Sequence, residues 1–401
     1  MKFTVIPSGF KESLSAEEVG YAIEKGIKRV NSNYEVNVIP MVDGGEGFID
    51  TIIKIRNGYK IMTYVTGPVG QQIQSYFGVF KEENKTVAVI EMAAIAGLRC
   101  VPTSQRNPLY TTTYGVGETI IKSLDYGADK IIIGCGDSGT TDGGVGMAQA
   151  IGVEFYDHRG EAIYISGGSD IDQIHDLDLS NIDNRVLSTP IDLAVNWSNI
   201  LCGDKGVAHV FGPQKGASPE DVEHLANNLY HLAALIKQHT GMDLRYANGT
   251  GASGGLGAGL VAFAKAKLHP RFELIKNYIQ IENSIEATDI VITAEGCIDY
   301  QTPNGKIPSE VARIAKNHQK PVIAFAGTIG KGAKINYQSG IDAFSSIIPE
   351  PATLENAIND ADKWLQGSVE SAIRYIMIGM NLFKAKEQQK HKLKEVVTDA
   401  S

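Results

Sequence analysis

The stretch "VNVIPMVDGGEGFIDTIIKI" at residues 36–55 contains the pattern that decides the fold. In it, a short apolar run leads into a carboxylate and a pair of glycines, and a helix-like segment follows. A near repeat, "KIIIGCGDSGTTDGGVGMAQAIG", occupies residues 130–152. Apolar strands that alternate with amphipathic helices are typical of α/β architecture. We therefore predict that each stretch folds as a strand, a glycine turn and a helix.

The two glycine turns suggest a phosphate site. Main-chain N–H groups at the start of a helix bind phosphate without side-chain charge. A neighbouring carboxylate would repel that phosphate unless a divalent cation lay between them, as Mg²⁺ does. We therefore predict that Asp43 and Asp142 belong to a phosphate–metal cluster. The alternative is that both are helix N-caps and that the glycines only fit the turns.

The order of elements along the chain predicts two domains. Strand and helix signals alternate at both ends, whereas residues 60–95 resemble antiparallel strands joined by turns. A parallel-sheet domain built from both chain ends, 1–66 plus 283–385, with a mixed α/β insertion at 67–282, accounts for this order. Residues 386–401 are polar and are expected to form a solvated helix or a frayed tail.

Composition excludes several classes of partner. The net charge is −9 and no basic stripe is interleaved with aromatic residues, which argues against nucleic acid. No apolar run reaches the roughly 18 residues that a membrane span requires. The four cysteines are isolated in sequence, which fits a reducing cytosol. We expect a cytoplasmic protein that could form a homodimer.

A glycine-rich segment, "GTGASGGLGAG" at 249–259, contains the spacing of a dinucleotide fingerprint. The residues before it do not resemble a buried strand, and no acidic residue follows at the required distance, so NAD binding is rejected. Close approach of Gly254 and Gly255 to a nucleotide or substrate is one interpretation. Helix packing is the favoured alternative.

Two further loops concentrate polar groups. Lys215 lies among turn residues in "FGPQKGASPED", where it could bind an anion, while Ser218 and Asp221 form a helix capping box. The loop "AEGCIDYQTPNGKIP" at 294–308 follows a strand and carries the carboxylates of Glu295 and Asp299, the amide of Gln301 and the ammonium of Lys306. Open α/β sheets bind ligands at the carboxyl ends of their strands, so a functional interpretation is favoured there.

A set of motifs distributed along the chain resembles one family, the bacterial-type glycerate kinases. The matching stretches are "FKESLSA" (10–16), "DGGEG" (43–47), "TGP" (66–68), "IEMAAIAGL" (90–98), "RNPLYTTTYGVGE" (106–118), "TDGGVGM" (141–147), "VFGPQKGA" (210–217), "GGLGAG" (254–259), "EGCIDYQ" (295–301) and "GKIP" (305–308). The resemblance implies a flavodoxin-like domain with an inserted mixed domain. It also implies ATP, Mg²⁺ and a small hydroxy acid as ligands.

On this basis we assign expected roles to individual residues. Catalytic roles are expected for Lys11, Asp43, Glu46, Asp142, Glu295 and Asp299. Substrate or phosphate binding is expected for Ser13, Gly44, Gly45, Gly136, Ser138, Gly143, Gly144, Asn196, Lys215, Gly254, Gly255, Gln301 and Lys306. Metal binding is expected for Asp43, Asp137 and Asp142.

The chain departs from the family pattern at several positions. Ser8 and Gly9 stand where Asp-Ser is usual, Asp137 replaces a glycine, Asn196 replaces an aspartate and Cys297 replaces an arginine. A metal ligand that moved from position 196 to position 137 would explain two of these changes. The alternative is that Asp137 is a turn residue that points to solvent and that Asn196 marks an unused site. The alternative function is a catalytically altered or silent paralogue that binds a metabolite or acts through partners.

Overall fold

The computed structural model describes residues 1–10, 13–41, 44–279 and 281–398, with the main chain alone over 388–398. The chain divides into two compact units. The first consists of Met1–Met41 with Gln280–Ser401, and the second of Val42–Ile279. The second unit is therefore an insertion into the first, as the order of elements predicted.

The strands are β1 (Lys2–Pro7), β2 (Glu35–Val38), β3 (Tyr59–Thr66), β4 (Gln72–Glu82), β5 (Lys85–Glu91), β6 (Lys130–Gly134), β7 (Glu154–Tyr156), β8 (Ala162–Ile163), β9 (Asp176–Asp178), β10 (Ile191–Val195), β11 (Lys267–Pro270), β12 (Ile290–Ile298), β13 (Val322–Ile329) and β14 (Ala343–Ser346). The helices are α1 (Ala16–Val30), α2 (Phe48–Ile55), α3 (Ala93–Ala96), α4 (Tyr114–Asp125), α5 (Val145–Ala150), α6 (Asn184–Ser188), α7 (Val207–Phe211), α8 (Pro219–Thr240), α9 (Leu256–Ala264), α10 (Arg271–Ile279), α11 (Ile281–Glu286), α12 (Ile307–Asn317), α13 (Leu354–Asn359) and α14 (Ala361–Thr398).

The first unit contains a five-stranded sheet in the order β14-β13-β12-β1-β2. Every neighbouring pair in it is parallel. Counted within the unit, this is the order 2-1-3-4-5 that defines flavodoxin-like sheets. Its core includes Phe3 and Val5 of β1, and α1 and α14 pack over it with Ile23 and Leu365. The predicted flavodoxin-like fold is confirmed.

The second unit contains a six-stranded mixed sheet in the order β11-β10-β6-β5-β4-β3 and a small sheet in the order β8-β7-β9. β3, β4 and β5 are antiparallel neighbours, as the 60–95 region predicted, whereas β5, β6, β10 and β11 are parallel. Parallel strands need apolar residues on both faces because helices cover both sides. Ile131, Ile132 and Ile133 of β6 are accordingly fully buried.

One boundary differs from that predicted on the sequence. The order of elements predicts that residues 42–66 belong to the first domain, but β3 pairs with β4 along its whole length, from Tyr59 to Thr66. The division therefore falls at residue 41 and not at residue 66. The polar residues from 386 onward continue α14 as a helix up to Thr398.

The predicted helix starts are confirmed where the signal is local. Ser15 accepts from the Glu18 amide, and the Glu18 carboxylate accepts from the Ser15 amide at 2.8 Å. Ser218 and Asp221 form the same reciprocal pair at the start of α8.

Within the described residues, no helix is long and apolar enough to cross a membrane.

Candidate functional site

The carboxyl edge of the five-stranded sheet contains the first candidate region. β1 and β12 run side by side until Pro7 pairs with Ala294, and the Ser8 amide donates to the Ala294 carbonyl at 2.8 Å. Because β2 lies on one side of β1 and β12 on the other, the strand order reverses at this point. Such switch points are where open α/β sheets bind ligands. Glu295 follows Ala294 and so lies at the switch point.

Lys306 draws two of the predicted carboxylates together. Its ammonium lies 3.5 Å from Oε1 of Glu295 and 3.6 Å from Oδ1 of Asp299, and it donates to the Cys297 carbonyl at 3.2 Å. All three charged side chains are only 20–25% exposed. The loop 294–308 thus places two acceptors and one cation within reach of a single small ligand.

The loop that carries Asp299 is held in a fixed conformation. The Asp299 amide donates to Oγ1 of Thr302 at 3.0 Å, and the Gln301 amide donates to Oδ1 of Asp299 at 2.9 Å. The amide side chain of the fully buried Asn336 donates to the Asp299 carbonyl at 2.9 Å. Asn336 had no signal in the sequence, because its contact spans 37 residues.

Other predicted residues of this unit have different environments. The hydroxyl of Ser13 donates to the Ile358 carbonyl at 2.7 Å, which is a structural contact. The Gln301 side chain donates to the exposed Tyr300 hydroxyl at 3.0 Å. Burial, followed by the Asp299 carboxylate, raises the pKa of the Cys297 thiol, so this position contributes no cation and little thiolate. Lys11 and Asp43 lie outside the described residues.

In the second unit, the first glycine turn packs against the end of β6. A Cβ on Gly136 would lie 2.7 Å from the Gly45 Cα, and a Cβ on Gly134 would lie 2.7 Å from the Gly44 carbonyl oxygen. Main chain therefore touches main chain, which only glycine allows at such distances. Gly44 also has a φ of +81°, a region that favours glycine.

Glu46 and Asp137 meet at this contact. The Glu46 amide donates to Oδ2 of Asp137 at 3.2 Å, and the Glu46 carboxylate pairs with the Arg99 guanidinium at 2.6 Å. Burial raises the pKa of Glu46, Arg99 lowers it and Asp137 raises it. Asp137 has a φ of +48°, which Asp tolerates better than most residues. The carboxylate that replaces the family glycine therefore links two loops.

Glu91, a buried carboxyl at the end of β5, was not singled out from the sequence. Its Oε2 accepts from the Ile49 amide at 3.1 Å in the first turn of α2. Burial raises the pKa of Glu91 to about 7, although the Ile49 and Gly47 amides lower it. Its side chain lies beneath the turn that carries Glu46. The motif "IEMAAIAGL" contains it, but a glutamate that ends a strand gives no local sign of this contact.

The contacts of Asp142 fit the alternative interpretation, in which this residue caps the start of a helix. Its carboxylate is fully buried and accepts from the amides of Thr113, Gly144 and Gly146 at 2.8, 3.1 and 3.2 Å. Oδ2 also accepts from the Thr113 hydroxyl at 2.8 Å. The residue thus joins the first turns of α4 and α5. These contacts favour a capping role over the predicted metal and catalytic roles.

Lys215 lies beneath the glycine loop at 136–144. It is 2% exposed, and its ammonium donates to the Ser138 hydroxyl at 2.9 Å and to the Thr140 carbonyl at 2.6 Å. Burial lowers its pKa to about 7, and the nearby Asp142 carboxylate raises it in part. The ammonium therefore supports the loop from below, and a direct contact with a bound anion would require the loop to open.

The glycines at 254 and 255 also pack main chain against main chain. A Cβ on Gly254 would lie 1.9 Å from the Thr140 carbonyl oxygen, and a Cβ on Gly255 would lie 2.8 Å from the Gly143 Cα. The Gly143 amide donates to the Gly254 carbonyl at 3.0 Å. Gly144 likewise faces Gly259 at 3.1 Å. These distances favour the packing interpretation over direct ligand binding.

Asn196 completes its own turn after β10. Its Oδ1 accepts from the Ser198 hydroxyl at 2.9 Å and from the Ser198 amide at 3.3 Å. β10 and β6 are parallel, with Ala194 opposite Gly134, so the loops that carry Asn196 and Asp137 leave the same edge of the sheet. The proposed transfer of a metal ligand between these two positions stays a prediction.

Among the described residues, no three His, Cys, Asp or Glu side chains cluster as a metal cage. Mg²⁺ does not require one, because it commonly uses one or two carboxylates together with phosphate oxygens. Glu295 and Asp299 suit this mode, since their carboxylates lie within 3.6 Å of one ammonium and so face a common position. Asp142 does not suit it, because its oxygens are occupied by amide and hydroxyl donors.

The flavodoxin-like sheet with an inserted mixed unit defines a two-domain α/β protein, and its charged loop lies at the switch point of the sheet. Residues 3–377 match the profile of the glycerate kinase family. The chain belongs to this family.

Named relatives agree over nearly the full length. The "Glycerate 2-kinase" of Escherichia coli (strain K12) is 42% identical over 90% of this chain and 94% of its own. The "Glycerate kinase" of Bacillus subtilis (strain 168) is 40% identical over 96% of this chain and 100% of its own. The crystal structure of "putative glycerate kinase 2" from Salmonella typhimurium LT2 superposes with a TM-score of 0.79 at 38% identity, covering 95% of this chain and 99% of that one.

Proposed function

We propose that this chain transfers a phosphoryl group from ATP to a hydroxyl of D-glycerate or a closely related small hydroxy acid. The observation that carries the proposal is the position of the Glu295–Lys306–Asp299 cluster at the switch point of the 2-1-3-4-5 sheet. In phosphoryl transfer the protein mainly positions groups and neutralises charge. The Lys306 ammonium between two carboxylates would neutralise charge, and its place at the switch point would help to position the reacting groups.

The residues would divide the work as follows. Lys306 would balance negative charge on the transferring group, because its ammonium is fixed on both sides. Glu295 or Asp299 would accept the proton of the attacking hydroxyl, and the other would hold Mg²⁺. When bound with ATP, Mg²⁺ supplies further neutralisation of the phosphate oxygens. The loop at 136–144, supported by Lys215, would hold a phosphate through the main-chain amides at its start, because those of Gly139, Gly143 and Gly144 already donate to other groups.

The acid group of the substrate needs a cation of its own. Cys297 cannot form the paired hydrogen bonds that a guanidinium makes with a carboxylate. Lys215 is buried and Lys306 is engaged by two carboxylates. Arg99 offers a guanidinium that is 80% exposed, although it pairs with Glu46. Unless Lys11, which lies outside the described residues, supplies that cation, we expect weak affinity for D-glycerate and a higher kcat/KM for a related hydroxy acid or polyol.

A coupled assay with ATP, Mg²⁺ and a panel of hydroxy acids and polyols tests the proposal. Magnesium-dependent formation of ADP with at least one member is expected. If D-glycerate gives the highest kcat/KM with a low KM, the expectation of weak affinity is wrong. If no member is phosphorylated but one binds in calorimetry, the silent paralogue is the better conclusion.

The four free cysteines support the proposed cytoplasmic location, since reduced thiols persist there.

A further inference from the structure

Helix α14 presents a second apolar face that the first unit does not cover. Its inner face packs into the core through Leu365, Val369 and Ile373. The side chains of Tyr375, Ile378, Met380, Leu382 and Phe383 are 73%, 57%, 36%, 61% and 66% exposed. Seven of the nine residues in "YIMIGMNLF" at 375–383, which we call the apolar segment, are large and apolar.

The exposed residues cannot be an extension of the packed face alone. Leu382 follows Ile373 by nine residues, which is two and a half turns, so the two side chains point in opposite directions. Tyr375, Ile378 and Leu382 have the i, i+3, i+7 spacing of one continuous stripe. A surface helix is normally polar opposite its buried face, and a helix that is apolar all round is normally buried. The apolar segment therefore needs a covering partner.

We propose that the partner is a second copy of this chain, and that the apolar segments of two copies pack against each other in a symmetric dimer. A two-fold contact uses the same patch on both subunits, so one apolar stripe on a helix is sufficient. Two aromatic and three aliphatic side chains, together with the flanking helical turns, can supply a substantial part of the about 800 Å² per partner that a stable interface buries.

Charge favours a second copy over a lipid surface. Residues 384–395, "KAKEQQKHKLKE", carry five lysines and two glutamates, a net charge of +3. The whole chain has a net charge of −9, so the remainder carries −12. The positively charged residues 384–395 follow the apolar segment directly, and they would be attracted to the negatively charged remainder of a second copy. An anionic bilayer would attract these residues but repel the remainder.

Light scattering coupled to size exclusion tests the proposal on the full chain. We expect wild type to have twice the 43.2 kDa mass of the chain. The double variant Leu382→Glu, Phe383→Glu should be a monomer, with its dimer dissociation constant raised at least about 100-fold. Leu354→Glu, at a residue that is 76% exposed on α13, is the matched control and should stay dimeric. Circular dichroism checks that each variant is folded.

The other outcomes overturn the proposal. They are a monomeric wild type at tens of micromolar, a double variant that remains dimeric, or a control that dissociates equally. As a second variant, Ile378→Glu tests the same stripe one turn earlier and should also dissociate the dimer. Co-sedimentation of a monomeric wild type with phosphatidylserine vesicles would show that a lipid surface is the partner.

Discussion

The ammonium of Lys215 donates a 2.6 Å hydrogen bond to the main-chain carbonyl of Thr140, from a position that is almost wholly buried. A lysine in this setting is costly to charge, and burial lowers its pKa to about 7. The unfolded chain binds this proton up to a pKa of 10.5. Between pH 7 and 10.5 the unfolded state thus holds more protons, so folding stability must rise with pH in this window.

Lys215→Met provides the corresponding test. The substitution removes the buried charge but leaves the Thr140 carbonyl without its donor, at a cost of about 1 to 3 kcal/mol. The stability advantage of wild type over Lys215→Met should therefore grow from pH 7 to pH 10, as measured by urea unfolding. Lys237→Met, at a half-exposed lysine on α8, is the control and should show no such trend. If the difference in unfolding free energy between wild type and Lys215→Met does not change with pH, burial does not lower the pKa of Lys215 as described.

Lys306→Met should abolish most activity. The ammonium lies 3.5 Å from Glu295 and 3.6 Å from Asp299, so both carboxylates lose a nearby cation in the variant. Loss of one charge-stabilising donor typically lowers kcat by about 10² to 10³. The melting temperature should fall, because two mostly buried carboxylates lose the cation between them, so circular dichroism must first show that the variant is folded. Lys316→Met, which removes a surface pair with Asp342, is the matched control. Activity within threefold of wild type would exclude Lys306 from catalysis.

Glu91→Gln should change how stability depends on pH. The folded pKa is raised to about 7 from 4.5, so the folded state binds the proton more tightly than the unfolded state. Its stabilising contribution is complete below pH 4.5 and is lost as pH rises through about 7. Glutamine keeps an acceptor for the Ile49 amide and cannot ionise. The variant should gain up to about 3 kcal/mol on wild type between pH 4.5 and 8, at about 1.4 kcal/mol per pKa unit.

Chemical unfolding across this pH range gives the measurement. A difference between wild type and Glu91→Gln that stays constant from pH 4.5 to 8 would show that Glu91 is not protonated in the folded protein. Glu82→Gln is a suitable control, since this carboxylate is more exposed and pairs with Arg56 at 2.8 Å. Its effect should not follow the same pH window.

The features that the sequence predicts are contacts between residues close together in the chain, and the contacts that it misses join residues far apart in the chain. The capping pairs Ser15–Glu18 and Ser218–Asp221 act across three residues, so spacing alone reveals them. The antiparallel hairpins at 60–95 are similarly local. By contrast, the support that Lys215 gives to Thr140 spans 75 residues. The tertiary fold brings the turn that carries Lys215 against the loop that carries Thr140. Neither residue type indicates this contact in the sequence.

Asp137 tests whether the departure from the family glycine is functional. Asp137→Gly removes the acceptor of the Glu46 amide, but glycine suits the φ of +48° at no cost. These effects oppose each other, so stability should stay within about 1 kcal/mol of wild type. Asp137→Asn keeps an acceptor and removes the charge. If the carboxylate repels phosphate at this loop, both variants should lower the KM for ATP.

The predicted metal role gives a different result. A loss of magnesium-dependent turnover in Asp137→Asn, with the fold intact, would show that the carboxylate binds the metal. Titration of activity against Mg²⁺ separates the cases, because a lost ligand raises the metal concentration needed for half-maximal rate. An unchanged KM for ATP in both variants would place Asp137 outside the phosphate site.

Gly254 and Gly241 separate backbone strain from steric contact. Both have a left-handed φ, +72° and +75°, so alanine at either position carries a backbone cost of about 1 to 2 kcal/mol. A Cβ at 254 would also lie 1.9 Å from the Thr140 carbonyl oxygen, whereas a Cβ at 241 would meet nothing within 4 Å. Gly254→Ala should therefore be destabilised by at least about 2 kcal/mol more than Gly241→Ala, in the range of overpacked cores. Because Thr140 accepts from Lys215, the shift should also raise the KM for ATP in Gly254→Ala alone. Equal losses of stability in the two variants, from thermal and urea unfolding, would show that this close packing of main chain on main chain is not what holds the loop.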